Sequence, residues 1–208
     1  MSAFPSFFRA HSGKEATGFA VWPAWPSKWL VAGIFALGAS MGAQAEGAFS
    51  LSSTDVQPGK MLTINQVFKG FGCEGGNVSP ALAWKNAPQG TQSFALTVYD
   101  PDAPTGSGWW HWMAYNIPVA VSSLPAGAGG VDAVMPDGVV QVRNDFGVKG
   151  FGGACPPPGD KPHRYQFTIH ALKVDKLELP ADASAALVGY MINANKLGSA
   201  SIEALYQR

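Results

Sequence analysis

The sequence predicts a mainly β, loop-rich domain, and three observations carry that prediction. Of its 208 residues, 25 are glycine and 16 proline while 13% are charged, a balance that suits turns and short strands better than helical bundles. Apolar residues make up 47%, enough for a real core. Several runs alternate apolar and polar residues with period two, and Gly/Pro turns separate them. There is no internal repeat and no low-complexity tract. Lys plus Arg equals Asp plus Glu at 14 each, so no bulk charge points to nucleic acid.

The chain opens on a targeting pattern. Lys28 precedes the apolar run Trp29 to Leu37, and small residues then lead to Ala43-Gln44-Ala45. A basic flank, a short apolar stretch and an A-x-A site read as a secretory signal covering residues 1–45, cleaved after Ala45. The run is too short for a membrane span. Residues 1 to about 25 make this signal unusually long, which a start codon assigned too far upstream would explain. No cysteine lies near the cleavage site, which argues against a lipid anchor. The expected location is periplasmic or secreted, with residues 46–208 as the functional domain. Removing residues 1–45 takes away three of 14 basic and one of 14 acidic side chains. The remaining 11 and 13 give a net charge of −2.

Export places Cys73 and Cys155 in a compartment that permits a disulfide, and we read them as bridged rather than as two separate thiols. Closing so long a loop would add on the order of 4 kcal/mol in the chain-entropy model. Their spacing fits no zinc pattern.

The strand from Ser93 to Asp100 places Phe94, Leu96, Val98 and Asp100 on one face, so this carboxylate points where the core residues point. In Trp110 to Ile117, His111 shares parity with Met113, Tyr115 and Ile117. In Arg164 to His170, Tyr165, Phe167 and Ile169 face one way, with His163 at the same parity. Arg164, Gln166, Thr168 and His170 face solvent on this reading. Gly70–Pro80 and Phe146–Pro162 are long loops rich in Gly, Pro and Asn, of the kind that carries function on a rigid sheet. A helix is predicted over Ala183–Asn195, capped by Asp182 or Ser184, with Leu187, Met191 and Ala194 at helical spacing. A short strand follows at Ser201–Tyr206.

Four polar side chains therefore sit on or near apolar faces: Asp100, Asp102, His111 and His163. Asp100-Pro101-Asp102-Ala103-Pro104 is a rigid turn at a strand end, because each proline fixes φ and forbids strand continuation. A carboxylate near an apolar face needs a partner, and histidine is a natural one. Each residue also has a plainer role: the aspartates bonding their own turn, His111 as a satisfied core residue. Two histidines beside one acidic turn and Gly-rich loops point instead to a pocket. Trp109 or Trp110 is a candidate wall of its mouth, since aromatics commonly line ligand sites.

Phe71-Gly72-Cys73-Glu74-Gly75-Gly76-Asn77-Val78-Ser79-Pro80, then Tyr99-Asp100-Pro101-Asp102-Ala103-Pro104, then Gly106-Ser107-Gly108-Trp109-Trp110-His111-Trp112, then Pro156-Pro157-Pro158 and His163-Arg164-Tyr165 stand in this order. Together they resemble the phosphatidylethanolamine-binding protein family, in its bacterial Raf-kinase-inhibitor-like branch. The resemblance runs from about Phe49 to Tyr206. It implies a mainly β fold of two sheets with a few short peripheral helices, and a small anion pocket at one end. By motif position the pocket residues are Asp100, Asp102, His111, Pro157, His163 and Tyr165. It implies binding of a small anion or phospholipid head group, without a cofactor, a metal or catalytic residues. Histidine and backbone N–H groups would hold a phosphate while a carboxylate holds an ammonium. Many members also bind proteins such as kinases or proteases, so an inhibitor acting through the pocket rim is the alternative, and a homodimer is among the allowed assemblies. Tyr190 to Lys196 lacks the histidines that many bacterial relatives carry near this helix, and Ala154 replaces a common glycine.

An enzyme has weak support. Asp100, Asp102, His111 and His163 could ligate a divalent metal, yet no HExxH or comparable spacing is present. The single G-x-S-x-G, Gly38 to Gly42, lies in the signal segment.

Overall fold

The computed structural model describes residues 47–208, so the targeting segment lies outside the described residues. The two-sheet β fold is present. β1 (Ser50–Ser52), β4 (Leu82–Lys85) and β7 (Ser123–Leu124) form a three-stranded sheet in the order β1-β4-β7. β5 (Ser93–Asp100), β6 (Trp109–Pro118), β8 (Val140–Gln141), β9 (His163–Leu172) and β10 (Lys196–Tyr206) form the larger sheet, ordered β10-β9-β5-β6-β8. A hairpin of β2 (Lys69–Gly70) and β3 (Cys73–Glu74) stands apart. All named strand pairs are antiparallel.

The core follows the alternation of the strands. Leu82, Trp84 and Leu124 of the small sheet pack against Phe94, Leu96, Val98, Phe167 and Ile169 of the large one. The opposite face of the large sheet buries Ala95, Met113, Tyr115 and Leu172 beneath Leu177 and the one α-helix, α1 (Ala185–Asn195). Both faces of the large sheet are thus covered, which is why Ser93 to Val98 is buried continuously.

Four expectations need correcting. Among the described residues there is one α-helix and one 3-10 turn, Ile64–Gln66, rather than several helices. The helix starts at Ala185 rather than Ala183; of the two expected caps Ser184 serves, accepting from the Leu187 N–H. Its buried stripe is Val188 and Ile192; Leu187 and Ala194 face solvent, because the sheet beneath presses one position further round. The last strand begins at Lys196, directly after the helix, rather than at Ser201. Small residues from Gly198 to Ser201 carry no strand signal of their own, and β9 recruits them by pairing Thr168 to Ala171 with them.

Candidate functional site

β5, β6 and β9 lie side by side, so Asp100 at the end of β5, His111 near the start of β6 and His163 at the start of β9 meet at one end of the sheet. Asp100 and His163 arrive by parity, continuing the apolar faces of their strands. His111 arrives by a different route. The pairing of β5 with β6 shifts register between Val98–Trp112 and Tyr99–Trp110, leaving His111 as the extra residue of a β-bulge. Trp112 and Met113 therefore pack on opposite faces as expected, but His111 turns to the face of Trp112 and meets the Tyr165 ring at 5.1 Å. The predicted common face with Met113 and Tyr115 is not formed. A second shift, at Asn116 with φ of 60°, returns Ile117 to the inter-sheet core.

The loops then close around these groups. Pro101 to Gly108 connects β5 to β6, and a Cβ at Gly108 would stand 2.2 Å from the Tyr99 hydroxyl oxygen, so only glycine passes there. The segment after β8 runs alongside the start of β6. Gly152 N–H donates to His111 O at 2.8 Å and Asp145 N–H to Trp110 O at 3.0 Å. Buried Asn144 ties this segment down through Nδ2, which donates to Gly150 O at 3.0 Å. Asn77 accepts from Gly153 N–H at 2.7 Å. Sequence reasoning missed Asn77 and Asn144 as site builders; Asn77 stood inside the Gly-rich motif, while Asn144 carried no signal.

The disulfide Cys73–Cys155 pins the hairpin to the proline-rich loop, with Cα atoms 6.0 Å apart and a sequence separation of 82. Arg208 reinforces the same seam, donating from Nε to Pro156 O at 2.6 Å and from Nη1 to Gly72 O at 2.7 Å.

The result is a cavity of about 200 Å³. Asp100, His111, Pro157, His163 and Tyr165 line it, with Trp109, Phe146 and Phe71 as aromatic walls. Trp109 is the wall and Trp110 is not, since Trp110 lies against Tyr99 at 4.4 Å. Asp102 does not line it. Its carboxylate accepts from Arg164 Nε at 2.8 Å and Nη2 at 3.0 Å, and this clamp holds its pKa down at about 2.

Asp100 is 2% exposed and fully engaged. Its Oδ1 accepts from the N–H groups of Asp102 at 2.8 Å and Ala103 at 3.1 Å; its Oδ2 accepts from His163 Nδ1 at 2.7 Å. His163 Nε2 faces Asp160 Oδ2 at 3.3 Å, so both nitrogens of this ring meet carboxylates. His111, 3% exposed, donates from Nδ1 to Gly152 O at 2.7 Å. Burial pushes its imidazole below the ordinary histidine range, against the opposing pull of the Gly152 carbonyl and the Asp100 charge. Burial pushes the Tyr165 hydroxyl far up, and the Cys155 backbone approaches it outside good hydrogen-bonding geometry. Three residues that line this cavity each carry a buried polar atom with no partner among the described residues: His111 Nε2, Tyr165 Oη and Trp109 Nε1. Buried polar groups are nearly always hydrogen-bonded, which sets these three apart from the rest of the core.

His170, expected at the surface, is half-buried on the opposite face of the sheet. Its Nε2 meets Thr97 Oγ1 at 3.0 Å, and burial lowers its pKa to about 4. No group of three or more His, Cys, Asp or Glu side chains is arranged to hold a metal among the described residues, and no described helix is long and apolar enough to cross a membrane.

A family model described as phosphatidylethanolamine-binding protein matches residues 52–207. The UPF0098 protein YbcL of Escherichia coli K12 is 58% identical over 161 residues, covering 77% of this chain and 88% of that one. The UPF0098 protein YbhB of the same organism is 49% identical over 156 residues, covering 75% and 98%. The crystal structure of E. coli YbcL, described as a member of the mammalian PEBP family, superposes with a TM-score of 0.75 at 58% identity over 77% of this chain and 98% of that chain.

Proposed function

The chain belongs to the phosphatidylethanolamine-binding protein family, and from that premise we propose that it is an exported, non-catalytic protein whose cavity takes a phosphate-like group, free or as a phospholipid head group. One observation carries the reading: His111 Nε2, Tyr165 Oη and Trp109 Nε1 all lack partners on a single small cavity. A tetrahedral oxyanion offers several oxygens to such a cluster at once. Asp100 acts by holding His163 and the turn at Asp102 and Ala103, and through them the shape of the cavity. Export rests on the segment from Lys28 to Ala45, and the Cys73–Cys155 bridge suits an oxidising compartment.

Isothermal titration of the purified protein with phosphate and phosphoethanolamine tests this. Saturable binding that His111→Ala and Asp100→Asn both abolish is the expected result. Absence of binding to the unaltered protein would remove the reading. A second reading, an inhibitor whose partner docks on the rim, is favoured by Phe71, which is 72% exposed beside the cavity. Capture of one stoichiometric partner that Phe71→Ala releases would support it.

A further inference from the structure

We propose that the cavity selects a phosphoryl group that brings its own proton, a phosphate monoester or inorganic phosphate as the monoanion, over a phosphodiester. This rests on the phosphate reading above and specifies its ligand.

His111 Nδ1 lies 2.7 Å from Gly152 O. A carbonyl oxygen only accepts, so Nδ1 carries the proton, and the neutral ring leaves Nε2 as a bare acceptor. Burial disfavours a second proton on this ring. The charged groups that act on His111 are Asp100 at the end of β5 and Asp145 in the segment after β8; the Tyr165 and Phe146 rings that pack on it are uncharged. The Asp100 carboxylate is occupied by two backbone N–H groups and His163. Nε2 is therefore an acceptor that waits for a donor.

The other two unpartnered atoms have the opposite character. The Trp109 indole N–H can only donate, and the Tyr165 hydroxyl can donate. The residues that line the cavity thus carry one unpartnered acceptor and two unpartnered donors, and neither lysine nor arginine lines it. A phosphate dianion has no donor for Nε2, and its two charges would meet no fixed cation. A monoester monoanion fits all three: its P–OH donates to Nε2 while two of its oxygens accept from Tyr165 and Trp109. A diester has the same charge but no P–OH, so it leaves Nε2 buried and unpaired. Such an orphan costs about 5- to 150-fold in affinity.

The test is titration calorimetry on the unaltered protein with phosphoethanolamine and glycerophosphoethanolamine, which share an ammonium and differ in monoester against diester. Inorganic phosphate and vesicles of phosphatidylethanolamine complete the set and separate free phosphate from a lipid source. The expected result is monoester and inorganic phosphate binding at least about 5-fold tighter than either diester. Raising the pH past the second ionisation of the monoester, near pH 6, should weaken monoester binding about tenfold per unit and leave the diester nearly flat. Equal binding of monoester and diester would overturn the monoester selection and leave the phosphate reading standing. A diester that strengthens on acidification as steeply as the monoester would place the proton on His111, and would also overturn it. Absence of binding by every ligand would remove the phosphate reading and this selection with it.

Discussion

On each face of the large sheet one histidine, buried His111 and half-buried His170, leaves a ring nitrogen without a partner among the described residues. His111, at the cavity end, donates from Nδ1 to a backbone carbonyl and leaves Nε2 free; His170, on the helix side, meets Thr97 through Nε2 and leaves Nδ1 free. Burial lowers the pKa of both. The difference lies in what surrounds them. His111 opens on a cavity of about 200 Å³ that gathers two further orphaned groups. His170 stands alone in its layer, paired across β5 and β10 with Ala95 and Ser199. On the proposed reading, a buried, unbonded nitrogen marks a ligand only where space and other unpaired groups converge on it. Elsewhere the same feature weighs on stability alone.

Perturbing each region in turn tests this division. The largest effect belongs to the seam of the cavity. Replacing both cysteines, Cys73→Ser with Cys155→Ser, frees a loop of 82 residues. The unfolding free energy should fall by about 4 kcal/mol in the chain-entropy model. Urea denaturation followed by tryptophan fluorescence measures it, and an unchanged midpoint would mean that Arg208 alone holds the seam.

Next comes the helix side. His170 keeps a folded pKa of about 4 against 6.5 for the free side chain. The unfolded chain then binds a proton that the folded chain does not, so stability rises with pH between these values and is lost on acidification through them. The full difference is about 3 kcal/mol, and His111 adds to it with the same sign. His170→Gln should flatten part of that slope in denaturation curves taken from pH 4 to 8. It should also leave phosphate binding intact, which a ligand role for His170 would not allow.

A smaller change is expected at the hairpin tip. Phe71 and Gly72 have φ of 52° and 77°, the left-handed pair of a two-residue hairpin turn. Asparagine accepts that conformation more readily than phenylalanine, so Phe71→Asn should raise stability by about 1 kcal/mol. Calorimetric melting reads it, and a loss of stability would mean that the Phe68 and Phe146 rings outweigh the strain. The smallest effect concerns Asp102. Because its carboxylate is turned to the exposed Arg164, Arg164→Gln should raise the Asp102 pKa toward the ordinary range in an NMR titration. Phosphate affinity should stay unchanged, in contrast to Asp100→Asn.

Much of this was legible along the chain, and the exceptions have physical causes. Asp100 and His163 reached the cavity because two-residue alternation holds along a regular strand. His111 reached it against that alternation, because a bulge inserts one residue and reverses the parity behind it. Asp100 and Asp102 are chemically alike and two positions apart, yet one holds His163 and the other Arg164. Nothing local separates them; the partner is chosen by where β9 lies. Asn144 was silent in sequence because its role is to bond the backbone of its neighbours in space.

The sequence by itself determined the mainly β class, the alternating faces of β5 and β9, the helix before the last strand, and the motif order that marks the family. These rest on periodicity, turn chemistry and composition, which act over a few residues. Tertiary structure decided that His111 turns inward, that Asp102 turns away, that Cys73 meets Cys155, and that three polar atoms are left unpaired on one cavity. Those outcomes depend on strand register and loop closure, where groups tens of residues apart compete for the same few hydrogen bonds.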